Sequence, residues 1–285
     1  MRCPPRRQHS SSSSSKSILS CSSLPLFREV LYMRAVSPYA LPGERGSAGS
    51  RTSWPQAKAT RPKRSDLMNW ALLRHFPWLD TRARFAAACP PAGTLVDLGS
   101  SDGETLGHIA ELRPDLRLFA ADKEGRPESY PPGCQFQRAD LEREKLPWPD
   151  QSMDAITCMH LIEHLDSLAS LLTETARLLK PGGRIYFETP HPKTVALSSP
   201  RGAAAGTFTL NFFDDLTHMR PVVMGALAQQ VRGLGLEVVA SGTSRNWLFA
   251  AAWPLFAFLP PSRKKFTARV HWLGWSAFLI ARRPL

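Results

Sequence analysis

Two glycines and three carboxylates fall where a nucleoside-bearing ligand needs them. In the run Val96-Asp-Leu-Gly-Ser-Ser-Asp-Gly-Glu-Thr105, Asp97 precedes a turn bounded by Gly99 and Gly103. The glycines let the backbone bend sharply and approach a ligand, and a helix beginning after them offers free amides to a carboxylate or phosphate. Asp122 follows Gly103 by 19 residues, a spacing that suits a carboxylate accepting hydrogen bonds from ribose hydroxyls. Asp140 closes a further apolar run. Each acid also has a local reading: Asp97 as a buried acceptor, Asp122 as a surface acid, Asp140 as an N-cap or turn residue. Their joint order favours a ligand site.

A second set of side chains suits proton transfer or substrate contact. His160, His164, His191 and His218 stand near predicted strand ends or in the loops after them, and imidazole titrates near neutrality. The segment Asn211-Phe-Phe-Asp-Asp-Leu-Thr-His-Met-Arg-Pro221 gathers acids, a histidine and an arginine before a predicted helix. Here His218 is the candidate base or acceptor contact and Arg220 the candidate partner of an anionic group, with His160 and His191 as further acceptor contacts. The alternative is a helix-entry loop whose polar groups satisfy only local backbone. His160, Glu163 and His164 share one face if helical, which invites a metal reading, but no bound metal is expected. The five cysteines, Cys3, Cys21, Cys89, Cys134 and Cys158, form no C-x-x-C pair and no disulfide framework.

These residues require a scaffold of alternating elements. Residues 66–76 and 78–89 carry apolar residues at helical spacing, broken by Pro77 and stopped by Pro90-Pro91, so two helices precede the first strand. Strands are predicted at 94–99, 116–122, 134–140, 153–159 and 183–189, with helices from Glu104 to Arg113 and from Leu168 to Leu179. Two more strands are predicted at 236–241 and 275–281. Alternation of this kind argues for an α/β fold with a mostly parallel sheet covered on both faces, which binds ligands at the carboxyl ends of its strands. Residues 247–259, with Pro254 inside and Arg263-Lys-Lys following, are too short to span a bilayer. They read as a pocket lid or packed cover, with a peripheral membrane contact over 247–265 as the alternative.

The net charge of +12 is concentrated at the front. Residues 1–65 hold 12 Lys and Arg against Glu29 and Glu44, which leaves the body nearly neutral and no nucleic-acid partner expected. The same segment is rich in Ser and Pro without apolar periodicity, so it is expected to be disordered. A transit peptide, an over-extended gene start with initiation at Met33 or Met68, and a solvated tail all fit its composition. The expected location is cytoplasmic, or an organelle if the segment directs import. The folded domain is expected over 66–285, with a ligand-binding core at 92–190 and acceptor-side and closing elements at 191–285.

The Val96–Thr105 stretch resembles the first motif of class I S-adenosylmethionine-dependent methyltransferases of the small-molecule, type 11-like group. That motif is an apolar strand, an acid, then Gly-x-Gly-x-Gly, with Ser101 here in the middle glycine position. Leu146-Pro-Trp-Pro-Asp-Gln-Ser-Met-Asp154, His160-Leu-Ile-Glu-His-Leu165 and Arg177-Leu-Leu-Lys-Pro-Gly-Gly-Arg-Ile185 resemble later blocks in the family's order. The resemblance implies a Rossmann-like, mostly parallel seven-stranded sheet and S-adenosyl-L-methionine as cofactor. It implies Asp97 and Gly99 at the methionine end, Ser101 and Gly103 in the turn, Asp122 at the ribose, Asp140 and Leu141 flanking adenine, and Met159 in the same pocket. Asn211–Pro221 resembles the D-x-T-H-x-R-P segment of some small-molecule methyltransferases. His160–His164 resembles the E-x-x-E-H metal segment of ubiquinone-pathway O-methyltransferases, with His160 in the first Glu position. The function implied is methyl transfer to a small-molecule or lipid-like acceptor. A nicotinamide-dependent oxidoreductase and a catalytically degenerate binding module are the rival readings. Oligomeric state is not legible.

Overall fold

The computed structural model describes residues 68–199 and 208–285; the expectations for residues 1–65 lie outside them. Seven strands form one sheet: β1 (Thr94–Leu98), β2 (Arg117–Asp122), β3 (Gln135–Arg138), β4 (Met153–Met159), β5 (Leu179–Pro190), β6 (Glu237–Ser244) and β7 (Ser276–Arg282). Their order is β3-β2-β1-β4-β5-β7-β6. The first five are parallel, and β7 runs antiparallel to both β5 and β6. This is the expected Rossmann-like sheet. All five residues of β1 are buried, as a central parallel strand covered on both faces requires.

Among the described residues six α-helices accompany the sheet: α1 (Thr81–Ala87), α2 (Glu104–Leu112), α3 (Ala169–Leu178), α4 (Met224–Gly233), α5 (Trp247–Phe256) and α6 (Arg263–Leu273). Leu171, Leu178, Leu227 and Val231 of α3 and α4 pack with Val96, Ile156 and Phe187 on one face. Phe85, Leu106, Ile109 and Leu112 of α1 and α2 pack with Leu95, Ala120 and Tyr186 on the other. The apolar spacing that predicts these helices is therefore the spacing of their sheet-facing stripes.

Three local features differ from expectation. The first of the two leading helices is a 3-10 turn, Trp70–Arg74, because Asn69 caps it and Pro77 follows within one further turn. Residues 263–273, which open on the basic cluster Arg263-Lys-Lys and carry no predicted element, form helix α6: Ser262 caps it through Lys265 N–H and Gly274, at φ 62°, ends it. Lys180-Pro-Gly-Gly does follow a helix, but as a bulge inside β5, where Met153 pairs with Leu179 and Ala155 with Arg184. A side chain on Gly183 would meet the Lys180 carbonyl at 2.9 Å.

Since Pro190 and Ser244 both pair with Ser276, the loop after β5 and the α5–α6 hairpin leave the sheet at the edge where the parallel strands end. Two helix caps fasten the hairpin there. Asp80, the N-cap of α1, accepts from Asn246 Nδ2 at 3.0 Å, and Asn246 is itself the N-cap of α5. The Asn246 backbone N–H donates to His271 Nδ1 at 3.0 Å. Burial, reinforced by the positive charge of Arg82, pushes His271 down to about 4. A histidine whose pKa falls on folding costs stability as pH drops, because the unfolded chain takes up its proton first. Acidification from pH 7 to 5 should therefore remove about 2 kcal/mol through His271. Urea denaturation of wild type and His271→Gln at both pH values checks this: an equal pH-dependence in the two proteins would show that His271 is not the group responsible.

Candidate active site

The loop between β1 and α2 is held in an unusual backbone conformation by side chains from outside it. Gly99 and Gly103 lie at φ 78° and 77°, and Ser101 shares the left-handed region at 46°. Serine bears a Cβ there, at a cost of about 1 kcal/mol relative to glycine. Asp122 Oδ2 accepts from Ser101 N–H at 2.8 Å, and the Tyr130 hydroxyl donates to the Ser101 carbonyl at 3.0 Å. A side chain at Gly103 would strike Tyr130 at 2.7 Å, and one at Gly99 would strike Leu161 at 2.9 Å. The departure from glycine at position 101 is thus accommodated by hydrogen bonds at both ends of its peptide.

Asp122 stands at the end of β2, and its Oδ1 accepts from the backbone N–H groups of Glu124 and Gly125 at 2.7 and 2.9 Å. Oδ2 carries only the Ser101 bond among the described residues, so one lone pair remains to receive a ribose hydroxyl. Asp140 accepts from Glu142 N–H at 3.1 Å and lies 3.3 Å from Lys123 Nζ. It thereby starts the turn after β3. Leu141 beside it is buried in the core.

Asp97 is 2 % exposed, and the Thr157 hydroxyl donates to it at 2.7 Å. Burial raises its pKa to about 7 against the effect of that bond. Such a carboxylate lacks a compensating cation in contact, which is the environment a ligand's positive group would complete. Thr157 and Met159 also line a small pocket with Arg82, Thr105, His108 and Trp70, whose ring stacks on His108 at 4.4 Å. The residues present fit S-adenosylmethionine: an uncompensated buried acid, a left-handed loop at a helix N-terminus, and a strand-end carboxylate with a lone pair to spare.

At the ends of β4 and β5 a buried ionic chain appears that the sequence did not disclose. Glu188 is fully buried, with Arg82 Nε on Oε2 at 3.0 Å and Arg82 Nη2 on Oε1. The Tyr186 hydroxyl donates to Oε2 at 2.5 Å, and His160 Nε2 lies 3.3 Å from Oε1. The other His160 nitrogen, Nδ1, is 3.2 Å from Glu163 Oε1. Burial disfavours the imidazolium, but its bonds to Glu163 and Glu188 outweigh that and raise it to about 9. Both ring nitrogens of His160 are therefore committed to carboxylates, and its backbone at φ 52° holds the ring beside Trp275.

The loop bearing His218 is clipped to the turn after β4 by Met219 N–H donating to the Glu163 carbonyl at 2.9 Å. His218 Nδ1 is 2.6 Å from the Phe212 carbonyl and so donates to it, while Nε2 lies 3.8 Å from Asp215 Oδ2. The ring lies between Phe212 and His164, at 4.5 and 4.7 Å. His191 is the N-cap of a 3-10 turn, accepting from Lys193 N–H, and Arg220 donates to the Asp166 carbonyl in a groove lined by α3 and α4. The structure therefore groups His160, Glu163, His164 and His218 and leaves His191 and Arg220 bonded to backbone groups of Lys193 and Asp166.

Above this edge, the Trp275 indole donates to the Leu210 carbonyl and Phe208 packs on Phe266 of α6. Arg263 at the start of α6 reaches within 3.7 Å of Glu104 at the start of α2. Loop and hairpin together thus cover the carboxyl edge. No helix among the described residues is long and apolar enough to cross a membrane.

A family profile described as a methyltransferase domain matches residues 70–241. The chain is 28 % identical over 190 residues to a ubiquinone biosynthesis O-methyltransferase of Albidiferax ferrireducens, covering 57 % of this chain and 73 % of that one. It is 26 % identical over 235 residues to a trans-aconitate 2-methyltransferase of Azoarcus sp., covering 67 % and 91 %. An S-adenosylmethionine-dependent methyltransferase from Mesorhizobium loti has the same fold, with a TM-score of 0.50 at 20 % identity over 74 % of this chain and 98 % of that one.

Proposed function

The chain belongs to the methyltransferase-domain family, and from that premise we propose that it methylates a hydroxyl of a small, lipid-like acceptor at the carboxyl edge of the sheet. Bound S-adenosylmethionine supplies an electrophilic methyl group on a sulfonium. The chain's own part is to place the nucleophile and exclude water, which suffices for much of the acceleration of an in-line displacement. Asp97 balances the cofactor's positive charge, Asp122 holds the ribose, and His218 acts on the acceptor through Nε2. The nicotinamide reading and the non-catalytic reading both give way to the family membership.

The observation that carries the acceptor class is the apolar cover over that edge. Helix α5 contains no acid, and Trp247, Leu248 and Leu255 on it are exposed, as is Phe258 in the turn that follows. Lys265 Nζ ties that turn by donating to the carbonyls of Ala257 and Leu259. Apolar surface of this kind at the mouth of a site suits an acceptor that partitions from water. The oxygen assignment draws support from the O-methyltransferase relative.

Incubation with methyl-labelled S-adenosylmethionine and hydroxylated apolar compounds, followed by extraction into organic solvent, tests the reading. Label confined to polar, carboxylate-bearing acceptors would overturn the lipid-like assignment. In the same system Asp122→Ala should weaken cofactor binding by roughly 1.5 to 3 kcal/mol, the loss of a charge-assisted acceptor together with its anchor on Ser101. Calorimetry reads this directly. Unchanged affinity in a folded variant would confine Asp122 to holding the loop.

A further inference from the structure

Helix α5 carries no charged residue, and the chain after Glu237 contains no acid at all. A helix this apolar ordinarily has its whole surface buried. Here only Ala250 is buried. Trp247, Leu248, Ala251 and Leu255 recur at helical spacing along one exposed face, and Phe258 and Leu259 continue it into the turn before α6. Leu255 and Phe258 are 74 % and 91 % exposed. We propose that this face docks the protein on an anionic lipid bilayer, with the α5–α6 turn entering the headgroup layer and the cations of α6 meeting lipid phosphates.

The backbone of that turn is prepared to leave water. The N–H groups of Ala257 and Leu259 donate to the Trp253 and Phe256 carbonyls at 2.8 and 3.0 Å. Their own carbonyls accept from Lys265 Nζ at 2.7 and 2.6 Å, and Pro260 and Pro261 have no N–H to satisfy. Polar backbone without a partner is costly outside water. This turn therefore carries fewer such groups into a bilayer interface than an open loop of its length would.

Arg263, Lys264 and Lys265 fill the first turn of α6 without an acid among them. Cations there oppose the helix dipole, so helix stability does not explain them. Lys264 is exposed, and Arg263 reaches Glu104 only at 3.7 Å. Arg245 and Arg269 lie over the Trp247 and Trp253 rings at 5.7 and 6.0 Å, pairs that suit the boundary between phosphate and acyl chain. An apolar face edged by cations matches an anionic lipid surface, which supplies both hydrocarbon and negative charge. A second copy of this face would bring no acid to those cations. The docking stands on this surface alone, whereas delivery of an acceptor from the bilayer rests on the lipid-like acceptor reading.

Cosedimentation of the full chain with phosphatidylcholine vesicles, plain or containing about one third phosphatidylglycerol, tests the docking. Wild type should partition onto the anionic vesicles about tenfold more strongly, or better. Leu255→Ser with Phe258→Ser, and Arg263→Gln with Lys264→Gln, should each lower that partition by about tenfold or more. Leu285→Ser, exposed at the opposite edge of the sheet, should not. Thermal unfolding shows whether each variant is folded, and the charge pair decides if the apolar pair is not. Because residues 1–65 are also basic, the site itself is read with Phe258→Trp: brominated phosphatidylglycerol should quench the emission that this indole adds. No partition, partition that leaves the added indole unquenched, or equal partition of wild type and the folded pair variants would overturn the docking. Dimerisation of wild type without lipid, lost in the apolar pair, would assign the face to a second copy instead. Vesicle binding by a chain that methylates only polar acceptors would keep the docking and overturn the acceptor reading.

Discussion

Glu188→Ala is expected to cost about 3 to 5 kcal/mol of folding stability. The variant removes one fully buried carboxylate that serves Arg82, His160 and Tyr186 together. Burial alone would favour the neutral acid, but the positive charges of Arg82 and His160 outweigh it and hold Glu188 ionised well below the usual range. Without it, Arg82 loses its counter-charge, His160 is left with Glu163 alone and the Tyr186 hydroxyl loses an acceptor inside the core. The Arg82 and His160 side chains keep 37 % and 33 % of their exposure, so water recovers part of the loss and the lower end of the range applies. Glu188→Gln keeps the shape and one acceptor, and should cost less. In a cycle with Arg82→Met, the double variant should be more stable than the sum of the single losses by about 1 to 3 kcal/mol, because removing both partners leaves no stranded charge. Urea denaturation at pH 7 measures all four proteins. A single-variant loss below 1 kcal/mol, or strict additivity, would mean that the chain of charges contributes nothing as a unit.

That network also shows why the sequence discloses some of this site and not the rest. The glycine loop is legible because its geometry is local: Gly99, Ser101 and Gly103 must turn within five residues, and the strand before and helix after them carry their own periodicity. Asp122 is legible for a related reason, since one helix and one strand separate it from the loop and fix the spacing. Glu188 and Arg82 are 106 residues apart, and nothing in an arginine on a short helix announces a buried partner. The one available signal was a glutamate within the apolar run of β5, where an unpaired charge would be costly. His218 stood out in its loop, but its pairing with His164 depends on how that loop returns across the sheet edge. Helix α6 is not legible because Pro260-Pro261 and three basic residues outweigh its weak apolar face, and its position comes from packing against α5 rather than from amphipathicity.

Asp97→Asn should move stability and cofactor affinity in opposite directions. An acid whose pKa rises on folding is a liability above its unfolded value: the unfolded chain releases the proton freely, while the folded chain must either hold it or bury a charge. With Asp97 raised from 3.8 to about 7, the cost is about 3 kcal/mol at pH 6 and grows to about 4 near pH 8.5, where it saturates. Asparagine keeps an oxygen to receive the Thr157 hydroxyl and escapes this penalty, although its amide N–H groups need partners of their own. The variant should therefore gain about 2 to 3 kcal/mol of stability in the absence of cofactor, with the larger gain at the higher pH. S-adenosylmethionine carries an ammonium and a sulfonium, and a carboxylate kept at this cost is useful only if such a charge completes it. Cofactor binding to wild type should tighten as pH rises from 6 to 8, as Asp97 loses its proton, whereas Asp97→Asn should bind more than tenfold more weakly and without that slope. Denaturation and calorimetry at the two pH values separate the outcomes: a variant both less stable and equally tight would place Asp97 among purely structural acceptors, whereas gained stability with lost affinity identifies it as the counter-charge of the methyl donor.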